Sequence, residues 1–96
     1  MKNLIPNSAL SLEHLPEPTD ECAVFEFAMS FDGYELFGSF EAAAENARAR
    51  KRESLTDLRN ELFMRARASK HCDDSNFLAS YRELLPLLKQ AILSSK

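Results

Sequence analysis

The stretch FEFAMSFDGYELFGSFE, residues 25–41, decides how the rest of the chain is read. Phe25, Phe27, Met29 and Phe31 alternate with Glu26, Ala28 and Ser30, the period-two pattern of a strand with one wet face. Asp32-Gly33 follows, a dipeptide that tolerates the positive φ angles of a two-residue hairpin turn. In that register Phe31 faces Tyr34, Met29 faces Leu36, and Phe27 faces Gly38. All the large apolar side chains except Phe37 and Val24 then share one face. A slip of one residue would scatter them. The sequence therefore predicts an antiparallel β-hairpin with strands at about 24–31 and 34–38.

Helical patterns take over after the hairpin. Ser39 stands where an N-cap belongs, Glu41 and Glu45 lie near the helix start, and Phe40, Ala43, Ala44 and Ala47 recur at helical spacing. Ser54 and Asp57 form a shortened capping box ahead of Leu55, Leu58, Leu62 and Ala66. The apolar phase of the first helix runs on into the second, so one long helix through Lys51 is an alternative to two. Asp74 or Ser75 caps a last helix in which Phe77, Tyr81, Leu84, Leu85, Leu88 and Ile92 keep phase across Pro86. The expected fold class is α+β, the hairpin packing on helices at about 40–52, 55–70 and 75–93. A kink is expected near Pro86.

Residues 1–21 read as a flexible leader or a short docking helix over Ala9–Leu15, closed by Pro16 and Pro18, with residues 22–96 as a single domain. The chain has 96 residues, 45% of them hydrophobic, enough for one small core. No apolar run is long enough to span a membrane, and Pro6, Asn7 and Ser8 interrupt any signal core, so a cytoplasmic protein with no membrane partner is expected. Cys22 and Cys72, fifty positions apart and without a second pair, read as reduced, partly buried thiols, with a disulfide between them as the minor alternative.

Charge is unevenly spread. The net charge is −3, but residues 1–40 carry one Lys against seven acids, while residues 41–70 carry eight Lys or Arg against five acids. Such a dipolar chain suits packing against itself or against an oppositely charged partner. The basic set Arg48, Arg50, Lys51, Arg52, Arg59, Arg65, Arg67 and Lys70 offers candidate phosphate contacts. No nucleic-acid reading motif accompanies it, and Glu45, Glu53, Asp57 and Glu61 lie at turn spacing to pair with it. Catalytic, cofactor and metal residues are expected to be absent. Cys22, Cys72, His14 and His71 lack ligand spacing, His71-Cys72-Asp73 are chain neighbours that point apart, and two glycines leave little room for an anion-cradling loop.

Phe31-Asp32-Gly33-Tyr34, Gly38-Ser39-Phe40-Glu41 and Ser54-Leu55-Thr56-Asp57-Leu58-Arg59 together resemble a group of short uncharacterised bacterial proteins. Those proteins carry a DGY…GSFE segment ahead of a helical half. The resemblance covers residues 25–72 and implies a bacterial cytosolic origin, but no activity and no functional residue. The expected function is a non-enzymatic protein-interaction module without cofactors. Its partner would be a second copy, as a homodimer, or another protein. The contacts expected are the unpaired hairpin edge, Phe37, and Leu87 and Leu93 of the last helix. The alternative is a nucleic-acid-associated regulator using the basic segment 48–70.

Overall fold

Thr19-Asp20-Glu21 sets the conformation of the segment expected to be a strand. Asp20 Oδ1 accepts the Ala23 N–H at 3.2 Å, and Glu21 sits in the first turn, where the backbone dipole favours an acid. The chain enters a helix there. The structure, a computed structural model, describes residues 5–31, 33–69 and 71–94, the side chains of residues 33 and 35 excepted. Its helices are α1 (Glu21–Met29), the single-turn α2 (Gly33–Phe37), α3 (Phe40–Arg48), α4 (Leu55–Ser69) and α5 (Ser75–Ser94). Two short 3-10 turns, Asn7–Ala9 and Leu12–His14, precede them.

No strand occurs among the described residues, so the α+β fold and its hairpin are overturned. The apolar run supports two periods at once. Val24, Ala28 and Phe31, at i, i+4 and i+7, are the residues fully buried, while Phe25, Phe27 and Met29 lie half-buried on the flanks. With Glu26 as its only charge, the run does not choose between helix and strand. The cap at Asp20 and the neighbouring helices do. Gly33 opens α2 in place of a hairpin turn, and Asp32 lies outside the described residues. Gly38, at φ +86°, stops α2 in the left-handed conformation that a glycine takes without strain. The homodimer route through a hairpin edge disappears with the hairpin.

The other caps act locally. Ser39 Oγ accepts the Ala42 N–H at 3.1 Å and starts α3. Ser54 and Asp57 exchange bonds reciprocally, Asp57 N–H to Ser54 Oγ and Ser54 N–H to Asp57 Oδ2, and so start α4. Asp74 Oδ1 accepts from Asn76 and Phe77 at the start of α5. Helices α3 and α4 are separate. Arg50 N–H returns to the Ala47 carbonyl and Lys51 N–H to that of Asn46, a Schellman closure with Arg50 at φ +52°. Helix α5 runs through Pro86, and Arg82, whose carbonyl Pro86 cannot serve, lies with it on the exposed side, open to water.

Helix α4 forms the centre, packed by α1, α2, α3 and α5. Leu55, Leu58, Leu62 and Ala66 meet Val24 and Ala28 of α1, together with Phe77, Leu78, Tyr81, Leu84, Leu88 and Ile92 of α5. Phe25 packs edge-on against Phe77, with centroids 5.8 Å apart. Within little more than one turn the same helix also buries polar residues: Asp57, Arg59, Asn60 and Glu61. Each ties down a different segment. Asp57 accepts from Glu53, Ser54 and Asn46, and Asn60 Nδ2 donates to the Ala43 carbonyl at 2.9 Å.

Arg59 Nη1 donates to the Ile5 carbonyl at 2.7 Å and to Asn7 Oδ1 at 2.8 Å, with its guanidinium 4.8 Å above the Phe31 ring. Burial without a carboxylate partner pushes this guanidinium down to about 10. Residues 5–20, the segment expected as a leader or docking helix, lie along α4 and α5. Leu10 is buried, Asn7 Nδ2 donates to Thr56 Oγ1 at 2.6 Å, and Tyr81 Oη donates to the Pro16 carbonyl at 2.6 Å.

Two tests follow from this packing. Arg50 holds a conformation that costs a side chain free energy, so Arg50→Gly is expected to raise stability by about 0.5–1 kcal/mol, read as a higher urea midpoint at unchanged slope. Tyr81 is pushed up to about 12 from an ordinary 10, by burial and then by the charge of Glu17. The native state therefore keeps the phenolic proton more tightly than the unfolded chain. That contribution is complete below pH 10 and is lost as pH rises from 10 to about 12. Tyr81→Phe is expected to be about 1 kcal/mol less stable than the parent below that window, through loss of the bond to Pro16. The gap should close across it. Arg59 contributes the opposite slope, but equally in both proteins, so the difference isolates Tyr81.

Candidate functional site

The stripe of small residues on α3 lets it approach α4 closely. Ala43, Ala44 and Ala47 are buried, and the Asn60–Ala43 bond fixes the two helices beside each other. On the outward side, alanines are too short to fill the valley between the helix axes. A groove of about 280 Å³ results, floored by Ala44, Ala47, Met64 and Ala68, closed at one end by Phe40, and bordered by Arg48 and Arg65.

Phe40 is 56% exposed, yet its ring is held in place. Tyr34 of α2 meets Phe40 edge-to-face at 5.3 Å and Phe63 of α4 at 5.2 Å. Arg67 lies 5.3 Å from the Tyr34 ring centroid and donates Nε–H to Tyr34 Oη at 3.0 Å, which fixes Tyr34 in turn. Leu36, on the α2 turn that packs beside α3, adds a second exposed apolar side chain. The groove therefore combines a prearranged aromatic wall, a floor of methyl and thioether groups, and two guanidiniums. Neither Arg48 nor Arg65 makes a salt bridge among the described residues.

The residues singled out from the sequence scatter over the molecule. Phe37 is half-buried at the end of α2, Leu93 is 56% exposed near the end of α5, and Leu87 is half-buried. Leu87 lines a wider cleft of about 420 Å³ between the start of α4 and the end of α5, shared with Arg52, Leu55, Leu58 and Ala91. Of the basic set, Arg48, Arg50, Lys51, Arg65 and Arg67 are exposed, and Lys70 lies outside the described residues.

Two of that set serve the fold. Arg59 is buried. Arg52 donates Nε–H to Glu61 Oε1 at 2.8 Å and Nη2–H to Glu61 Oε2 and Glu83 Oε2, both at 2.7 Å. The resulting clamp joins the α3–α4 connector to α4 and α5, and it holds the Glu83 carboxyl below its usual range. Among the described members of the set, Arg48 and Arg65 converge on one cavity. Of the groove residues, Phe40, Ala44 and Ala47 were legible in the sequence as a helical stripe, whereas Ala68 and the valley that short side chains leave open on the outside were not.

Among the described residues no three His, Cys, Asp or Glu side chains gather as metal ligands, and no helix is long and apolar enough to cross a membrane. Compared with known protein families, curated proteins and solved structures, the chain matches none. What the fold and the site define is a small helical protein with an apolar, arginine-bordered groove.

The Arg52 clamp generates a test of its own. Arg52→Ala strands the buried Glu61 carboxylate and is expected to cost about 2–3 kcal/mol in urea denaturation. Adding Glu61→Met should recover most of that loss, because the stranded charge goes with it.

Proposed function

We propose that this chain is a non-enzymatic protein-interaction module that holds an acidic-faced amphipathic helix of a partner protein in the α3–α4 groove. The observation that carries the reading is the pairing of an exposed apolar trough with Arg48 and Arg65 on its border. Apolar side chains at i and i+4 on the incoming helix would lie along Ala44, Ala47, Met64 and Ala68 against Phe40. Acids flanking them would meet the two guanidiniums. Helix-in-groove recognition divides its work this way: buried apolar area supplies affinity, and charge complementarity sets orientation and partner choice.

A phosphate-binding reading of segment 48–70 is less well served. Arg52 and Arg59 are engaged within the fold, and the place where two exposed arginines meet is floored by aliphatic groups rather than polar donors. Self-association through the last helix would rest on Leu93, exposed near the end of α5 and away from the residues that line the groove.

Fluorescence anisotropy tests the proposal with a labelled helical peptide of about four turns, leucines at i, i+4 and i+7 and glutamates on both flanks. A matched peptide carries lysines in place of the glutamates. The glutamate peptide is expected to bind at least about tenfold more tightly, and Arg48→Glu with Arg65→Glu should remove at least about tenfold, or 1.4 kcal/mol, of that affinity. Ala44→Trp, which fills the trough, should also abolish binding.

Equal binding of the two peptides, or no saturable binding by either, overturns the proposal. So does a dimer in light scattering that the double arginine variant dissolves, which would make a second copy the occupant. Salt-sensitive binding of duplex or single-stranded nucleic acid, lost in the same variant and without peptide binding, would transfer the groove to the phosphate reading.

A further inference from the structure

Cys22 and Cys72 are the only cysteines of the chain, and the fold brings them together from fifty positions apart. Their sulfur atoms lie 3.1 Å from each other, both as free thiols. Cys22 occupies the first turn of α1 and is exposed, and Cys72 is half-buried in the connector between α4 and α5. We propose that this pair is a reversible oxidation site, at which a hydroperoxide closes an intramolecular disulfide between α1 and the α4–α5 connector.

Three features support the assignment. Sulfur atoms this close require converging Cβ vectors, the condition that most often fails when two cysteines are bridged. Reaching a bond of about 2.05 Å takes about 1 Å of further approach, available from side-chain rotation at Cys22 and adjustment of a connector that is not helical. Exposure of Cys22 gives a small oxidant a direct approach.

The thiol of Cys22 is held above its ordinary range, first by the hydrogen bond with Cys72 and then by that neighbour's charge. Slight burial, Asp20 and Glu21 add to the effect. Holding this proton makes the Cys22 thiolate scarcer and slows its attack on peroxide, so the case for the site rests on the contact between the two sulfurs and on the exposure of Cys22.

The chemistry balances. One thiolate attacks the O–O bond of the peroxide, forming a sulfenic acid and releasing hydroxide, which leaves as water after protonation. The second thiol, already in contact, attacks the sulfenic sulfur and expels another water. Two thiols and one hydrogen peroxide yield one disulfide and two waters, the two electrons passing to the peroxide oxygens. A dithiol reductant returns them by exchange. The closed loop would enclose α1, α2, α3 and α4, so the bridge would fasten α1 against the rest of the bundle without any change of fold.

The full chain is treated with hydrogen peroxide, quenched, alkylated with iodoacetamide and weighed intact. The expected product has lost two hydrogens, takes no alkyl group, yields a peptide linking Cys22 to Cys72, and returns to the dithiol with dithiothreitol. Its melting temperature should exceed that of the reduced chain by at least about 15 °C, as loop closure over some fifty residues implies. Cys22→Ser and Cys72→Ser should each lose the bridge and the thermal shift. Oxygen added to separate cysteines of the parent, or a disulfide between two chains, overturns the proposal. The parent's own mass decides this even where a variant folds poorly. The same thermal shift in both serine variants overturns it as well.

Discussion

Helix α4 is packed on nearly every side, and that constraint governs the rest of the molecule. The first half of this helix keeps almost no wet face, yet Asp57, Arg59, Asn60 and Glu61 follow one another along it. A buried polar group without a partner costs roughly 1–3 kcal/mol, and a buried charge more. The chain around α4 is arranged to supply those partners. The start of α4 folds back onto Asp57, residues 5–7 cover Arg59, α3 offers a carbonyl to Asn60, and the connector brings Arg52 to Glu61. Not every atom is served, since Arg59 Nε and Nη2 and Asn60 Oδ1 are buried without hydrogen bonds. The Phe31 ring beneath Arg59 offsets part of that deficit.

This arrangement explains why the basic middle segment is not one surface. A guanidinium called inward to neutralise a carboxylate, or to anchor a chain end, is withdrawn from solvent. Of the arginines that remain outside, Arg48 and Arg65 border a trough left by small side chains on α3. The two features share a cause: α3 carries alanines because it must lie close to α4 for Asn60 to reach its backbone, and close approach of short side chains leaves a valley on the outer face. The cysteine pair belongs to a different part of the bundle, where α1 meets the connector between α4 and α5. Chemistry there would act on the anchoring of α1 and leave the groove residues untouched.

The hairpin expectation failed for an instructive reason. Residues 24–31 are apolar at nearly every position, so alternation and helical spacing fit them equally, and Gly33 opens a helical turn as readily as it would a turn between strands. The deciding signal lay just upstream, in the cap at Asp20 and the acid at Glu21, which the leader reading had absorbed. A single hairpin would also have offered one face to three helices while leaving two open edges. As a helix, the same segment satisfies its backbone internally and buries Val24 and Ala28.

By itself the sequence determined where helices begin beyond residue 39, though not that α3 stops at Arg48 rather than near residue 52. The serine caps at 39 and 54, the Ser54–Asp57 exchange and the Asp74 cap are contacts between residues three or four apart, and such contacts can be read along a line. Tertiary structure alone decided the burial of the polar residues on α4, the groove between α3 and α4, and the meeting of Cys22 with Cys72. These depend largely on groups distant along the chain, such as Asn60 with Ala43 at seventeen positions and Cys22 with Cys72 at fifty. Which of them meet is set by how the helices fill space together, and no local spacing encodes that.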